Sequence, residues 1–178
     1  MLKILGIVAA VLVVAIVGIL IAAAMRPDIF RVQRSASIKA PPEKIFAFIN
    51  DYKLWGVWSP YEKLDPAMKR TFGGPASGKG SKYAWEGNNN VGAGSMEILE
   101  STPSSKILIK LDFLKPFEAH NTAEFTLVPS GDTTTVTWAM QGPVPFHFKI
   151  VHLFMNVDKM VGGQFDEGLA SLKAAAER

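Results

Sequence analysis

The chain has 178 residues, no cysteine and a formal net charge of +3. The missing cysteines exclude disulfides, thiol catalysis and thiolate metal sites. The lysines are scattered rather than run together, which speaks against a nucleic-acid-binding surface. The length suits one ordinary domain plus a short extra segment.

That segment comes first. "ILGIVAAVLVVAIVGILIAAAM", from Ile4 to Met25, carries no charge. As a helix it would be roughly 33 Å long, enough to cross a hydrocarbon core of about 30 Å. The apolar run exceeds that of a secretory signal, and only Lys3 precedes it. The small residues Ala22, Ala23 and Ala24 keep a cleaved signal open as the alternative. The expectation is a retained single-pass membrane anchor over residues 1–26 and a globular domain over 27–178. Arg26, Arg31, Arg34 and Lys39 follow the span, so the positive-inside rule leans towards a cytoplasmic domain. Only "RPDI" separates anchor from domain, which predicts a domain riding directly on the bilayer.

"FRVQRSASIKA" alternates and stops at two prolines, which predicts a strand. "PPEKIFAFIND" opens with Pro41 and Pro42, has Glu43 in its first turn, and spaces Ile45, Phe48 and Ile49 as a helix does. "DYKLWGVWSPYEKLDP" is predicted as a second short helix or tight wrap, with Trp55 and Trp58 one turn apart. Six short strands are predicted next, near 68–72, 81–86, 94–101, 106–114, 117–128 and 133–141. They are divided by turn-formers such as "GNNNVGAG" and "PSGD". After Pro145 one long helical pattern is predicted to run to the end. Val157, Met160, Val161, Phe165, Leu169 and Leu172 recur every three or four residues. Gly162, Gly163 and Gly168 each cost that helix about 1 kcal/mol relative to Ala, tolerable where it must lie close to the sheet.

The order is α+β: a meandering antiparallel sheet with helices on one face. Alternation assigns that face. Tyr83 and Trp85 share it, as do Ile107, Ile109, Leu111 and Phe113. So do Ala119, Asn121, Ala123 and Phe125, and then Val136, Trp138 and Met140. Lys82, Glu86, Lys110, Asp112 and the threonines, Thr137 among them, are expected on the water side.

The blocks "RSASIKAPPEKIFAFINDYKLWGVWSPYEKLDPAMKRTFGGP", "YAWEGNNNVGAGSMEI", "LDFLKPFEAHNTAEFTLVPSGDTTTVTWAMQG" and "DKMVGGQFDEGLASLK" resemble the SRPBCC superfamily. This group holds polyketide cyclases/dehydrases and START-like lipid-transfer proteins. The resemblance covers about residue 30 to the C-terminus. It implies a helix-grip fold, in which a seven-stranded antiparallel sheet wraps a long C-terminal helix around a hydrophobic cavity. It implies no particular reaction, since the fold hosts carriers, receptors, cyclases and chaperone cofactors.

On that expectation the candidate cavity-lining residues are Trp55, Trp58, Tyr83, Trp85, Met96, Ile109 and Leu111. Phe113, Asn121, Phe125, Trp138, Met140, Met160 and Phe165 complete the set. Each has a structural reading as ordinary core, and for Trp55 and Trp58 that reading is a plug at the cavity end. Asn121 stands out as an amide at an inward position, where buried polar groups need partners.

No catalytic constellation is visible. "GGPASGKGS" nearly spells a phosphate loop, but Gly80 replaces the hydroxyl residue and a strand follows. His147 and His152 fall on different helix faces, and His120 points outward. The expected function is a membrane-anchored binding protein for a hydrophobic small molecule or lipid, with no cofactor, no metal and no nucleic acid. A cyclase-like enzyme and a membrane-tethered protein–protein adaptor are the alternatives. The oligomeric state is open, and a monomer suffices.

Overall fold

The computed structural model describes residues 2–178. Helix α1 (Leu2–Ala24) leads into strand β1 (Ile29–Ile38). Helices α2 (Pro42–Asn50), α3 (Trp55–Trp58) and α4 (Pro60–Leu64) follow, with a 3-10 turn at Tyr52–Leu54. Strands β2 (Lys69–Gly73), β3 (Lys82–Glu86), β4 (Ala93–Thr102), β5 (Lys106–Lys115), β6 (Ala119–Ser130) and β7 (Thr133–Pro143) come next. Helices α5 (Phe146–Phe154) and α6 (Val157–Ala176) close the chain. Pro42 and Pro60 each start a helix, where a missing N–H costs nothing and the fixed φ helps.

The strands form one antiparallel sheet in the order β1-β7-β6-β5-β4-β3-β2. The register gathers particular residues at each end. Ile29 lies opposite Pro143, Phe113 opposite Ala119, and Glu86 opposite Ala93 at the end next to α1. Ile38 opposite Thr134, and Lys106 opposite Thr126, lie towards the other end. We call these the proximal and distal ends. Helix α1 packs against α5 at the proximal end, and the Val144 N–H donates to the Asp28 carbonyl at 2.7 Å.

Helix α6 crosses the inner face and is held to the first strand by Arg34. That guanidinium donates to both carboxylate oxygens of Asp158, at 3.1 and 2.9 Å, and to Asp166 at 3.2 Å. Planar bidentate pairing of this kind fixes orientation as well as distance. Gly162 makes room for it, since a Cβ there would sit 2.0 Å from Arg34 Nη2. At Gly168 a Cβ would meet the Trp138 ring at 2.8 Å and Pro60 at 3.0 Å. Gly163 has open space around it and faces solvent, so close approach explains two of the three glycines.

Two expectations are corrected. The single C-terminal helix is two, because Asn156 leaves helical geometry and its side chain accepts from the Lys159 N–H at 2.9 Å, capping a new helix. Not every threonine is on the water side: Thr134 is buried and its hydroxyl donates to the Ala40 carbonyl at 2.8 Å, whereas Thr137 keeps the outer face, its hydroxyl 2.8 Å from that of exposed Ser35 on β1. Alternation otherwise holds: Tyr83 and Trp138 are buried, while Lys82 and Glu86 are exposed.

Candidate functional site

The inner face is solid towards its distal end and hollow towards its proximal end. Distally, Ile98, Ile107, Leu127 and Val136 from the sheet meet Leu169 and Leu172 of α6, all buried. Next comes an aromatic block. The Trp138 ring stacks on Phe165 at 4.0 Å and on Phe125 at 5.0 Å. Trp58 lies edge-on to Phe125 and Trp138, at 5.9 and 5.5 Å. Both indoles of the wrap are tied to the last turn of α2. Trp55 Nε1 donates to the Ile49 carbonyl at 2.9 Å, and Trp58 Nε1 to the Phe48 carbonyl at 3.0 Å. A buried indole needs such a partner, and the α2 C-terminus supplies free carbonyls.

Proximal to this block lies a cavity of about 430 Å³. Met96, Leu111, Phe113 and Met140 form its floor from the sheet. Tyr83 and Trp85 form one wall, and Trp55, Trp138 and Phe165 close the inner end. Trp85 lies across the neighbouring strand because its partner there is Gly94, where a Cβ would meet the ring at 2.5 Å. Met160 and Val161 on α6 and Asn90 and Val91 on the β3–β4 loop border the mouth. Met160 is 57% exposed, so it edges the opening rather than pointing under the helix as expected.

Four sequence candidates lie outside the cavity walls. Trp58, Ile109 and Phe125 are consumed by the packed core, each 0% exposed. Asn121 is buried beside Gly142, whose missing Cβ leaves space for the Asn121 amide. Its Oδ1 has no partner among the described residues.

The sequence reading missed the polar part of the wall. Ser59, Tyr61 and Glu62 line the cavity from the α3–α4 segment. Tyr83 donates a short hydrogen bond to Glu62 Oε1, and Arg70 Nε donates to Glu62 Oε2 at 2.7 Å. Arg70 is oriented by the carbonyls of Pro66 and Met68. Burial raises the Tyr83 phenol above its ordinary pKa, and the bond to Glu62 adds to this. The phenol therefore stays protonated as a donor. Burial likewise raises Tyr61. The Ser59 hydroxyl, on a residue 1% exposed, has no partner among the described residues. Nothing local announces this group: Glu62 sits in a charged stretch, 21 residues from Tyr83.

Among the described residues no group of three or more His, Asp or Glu is placed to hold a metal ion. His120 is on the outer face, 2.8 Å from Asp112.

Solved structures show the same fold at low identity. Protein CV1439 from Chromobacterium violaceum aligns with a TM-score of 0.59 at 16% identity, over 86% of this chain and 99% of that one. The Aha1 dimer from Colwellia psychrerythraea gives 0.55 at 17%, over 83% and 96%. The di-domain ARO/CYC StfQ from the steffimycin biosynthetic pathway gives 0.61 at 10%, over 84% of this chain and 51% of that one. No curated protein matches. Residues 30–177 match the profile of the polyketide cyclase/dehydrase and lipid transport family, and the chain belongs to that family within the SRPBCC superfamily.

Proposed function

We propose that this protein is a membrane-anchored carrier or sensor of an amphiphilic small molecule, with α1 as the anchor and residues 27–178 as the binding domain. The observation that carries the reading is the apolar cavity between sheet and α6. Its size falls within the roughly 300–1,000 Å³ of small-molecule sites. The ligand has an apolar body, matched by the Met96, Leu111, Phe113 and Met140 floor. It carries one hydrogen-bonding group, matched by the Ser59 hydroxyl and the Glu62–Tyr83 pair. Helix α1 has the length and composition to cross a membrane.

The Glu62–Tyr83 pair is the observation that favours a second, enzymatic reading. Its geometry fits binding better. Glu62 is engaged on both oxygens, and Tyr83 already spends its proton on Glu62. A general base or acid needs a free, positioned site for the proton it moves.

The test is native mass spectrometry of the full chain released from nanodiscs, with organic extraction of what travels with it. The expected result is an adduct of one amphiphile per chain that disappears in Val161→Trp, which crowds the mouth. A bare polypeptide mass, or an adduct unaffected by that substitution, would overturn the reading.

A further inference from the structure

Helix α5 is built inside out. On an ordinary surface helix the charged residue faces water and the large apolar ones face the core. In α5 the one lysine is the buried residue, and Phe146, Val151 and Phe154 are exposed, Phe154 at 73%. Lys149 turns inward to the exit of α1. Its ammonium donates to the Arg26 carbonyl at 2.9 Å and to Asp28 Oδ1 at 2.6 Å. A lysine placed so caps the end of α1, whose last carbonyls have no helical partner. It also leaves the outer face of α5 without a lysine, an arginine or a carboxylate, its polar side chains there being His147 and His152.

That face is not isolated. The tip of the β5–β6 hairpin lies beside it, with the Phe117 ring 5.8 Å from Phe148. Leu114 and Phe117 on this tip are 59% and 65% exposed. Ile29 and Met155 extend the patch, also exposed. Elsewhere on the domain exposed apolar side chains are scattered. Here they cluster at one end of the sheet, and such clusters mark interaction surfaces. The patch is continuous with α1: Ala23 is fully buried where α1 meets α5. The 22-residue apolar span Lys3–Ala24 therefore ends against this helix.

We propose that the apolar side chains of α5 and of the β5–β6 tip are embedded in the same bilayer that α1 crosses, with the exposed Lys115 and Glu118 of the tip reaching headgroup level, so that the cavity mouth opens onto lipid. The inference rests on α1 being a retained anchor. The continuity of the apolar surface from α1 through α5 selects a bilayer over a protein partner. What covers α1 must also cover the patch that adjoins it, and lipid does so without further contacts. Arg26, at the exit of α1, stands at headgroup level. The mouth follows from the register. The β3–β4 loop, with Asn90 and Val91, lies at the proximal end because β3 finishes there and β4 starts there. Met160 and Val161 lie in the first turns of α6, immediately after α5. Both lips of the cavity thus stand at the embedded end, and the ligand passes between bilayer and cavity without crossing water.

The absence of cysteine allows a direct test on the full chain in nanodiscs carrying one copy each. Single cysteines at Phe154, Phe117, Val13 and Val128 are labelled with a fluorophore. Each is quenched in turn by a lipid-borne nitroxide and by aqueous iodide. The expected result is that the Phe154 and Phe117 labels follow the Val13 label, quenched by the lipid probe and shielded from iodide. The Val128 label, at the distal end, does the reverse. Phe154 and Phe117 labels as open to iodide as Val128, with Val13 still shielded, would overturn the embedding and leave the anchor intact. A Val13 label open to iodide would overturn the anchor, and the embedding with it. Shielding of Phe154 that appears only in liposomes with many copies would assign the patch to a second chain and overturn the proposal.

Discussion

The two ends of the inner face are both apolar and end in opposite states. At the distal end and centre, α6 drops Phe165, Leu169 and Leu172 between sheet side chains, and each is buried to within 2%. At the proximal end the same helix presents Gly162, Val161 and Met160, and Gly162 is occupied by Arg34. No large side chain descends to meet Met96, Leu111 and Met140. The sheet supplies apolar side chains at both ends, and the bulk that α6 lowers onto them is what differs. A cavity here results from withholding bulk on one side, and the end left hollow is the end next to α1.

The largest expected effect breaks the solid half. Phe165→Ala removes the ring stacked on Trp138 and should cost about 3–5 kcal/mol in denaturant unfolding. Val161→Ala at the mouth should cost under about 1 kcal/mol, because its side chain has few partners to lose. Equal costs would mean that both halves are equally packed. Enlargement gives the next contrast. Ile107→Phe, in the packed half, should destabilise by about 1–3 kcal/mol. Leu111→Phe should be tolerated within about 1 kcal/mol and should abolish the amphiphile adduct, because the added volume enters free space.

The polar wall gives a smaller effect than the loss of Phe165. Tyr83→Phe should cost about 1.5–3 kcal/mol, the usual net value of a hydrogen bond to a charged group. Ser59→Ala should leave the ligand-free stability unchanged or slightly raised, since it deletes an unpartnered hydroxyl, while retention of the amphiphile drops. Retention unchanged in both variants would remove the polar pole from the reading.

The smallest effect belongs to the outer face. The bond to Asp112 raises the His120 pKa above its ordinary value, and Glu118 adds to this. Asp112 is lowered, chiefly by Lys110 and then by His120. The His120 contribution is complete below the ordinary histidine pKa and is lost as pH rises through the raised value. The Asp112 contribution is complete above the ordinary carboxylate pKa and is lost as pH falls through the lowered one. An NMR titration should show His120 titrating high, and Asp112→Asn should bring it back. Neither change should move the adduct, because both groups face away from the cavity.

The sequence by itself determined the apolar first helix, the seven strands and which face of each is buried. These follow from periods of 2 and 3.6, which act over a few residues. Tyr83, Trp85, Trp138 and Met140 were legible as inward for that reason. Periodicity also found Trp58, Ile109 and Phe125, but could not separate a wall from a filling. That depends on what descends from α6, a distant segment of the chain. The break at Asn156 was hidden inside an unbroken apolar pattern, since one capping side chain outweighs periodicity there. Nothing in the sequence marks Glu62, and only the fold lays Tyr83 and Arg70 against it. Lys149 read as an ordinary surface lysine until the end of α1 met it. Pairings between distant segments carry no local signal. Tertiary structure alone therefore decided the cavity, its polar pole and the apolar rim beside α1.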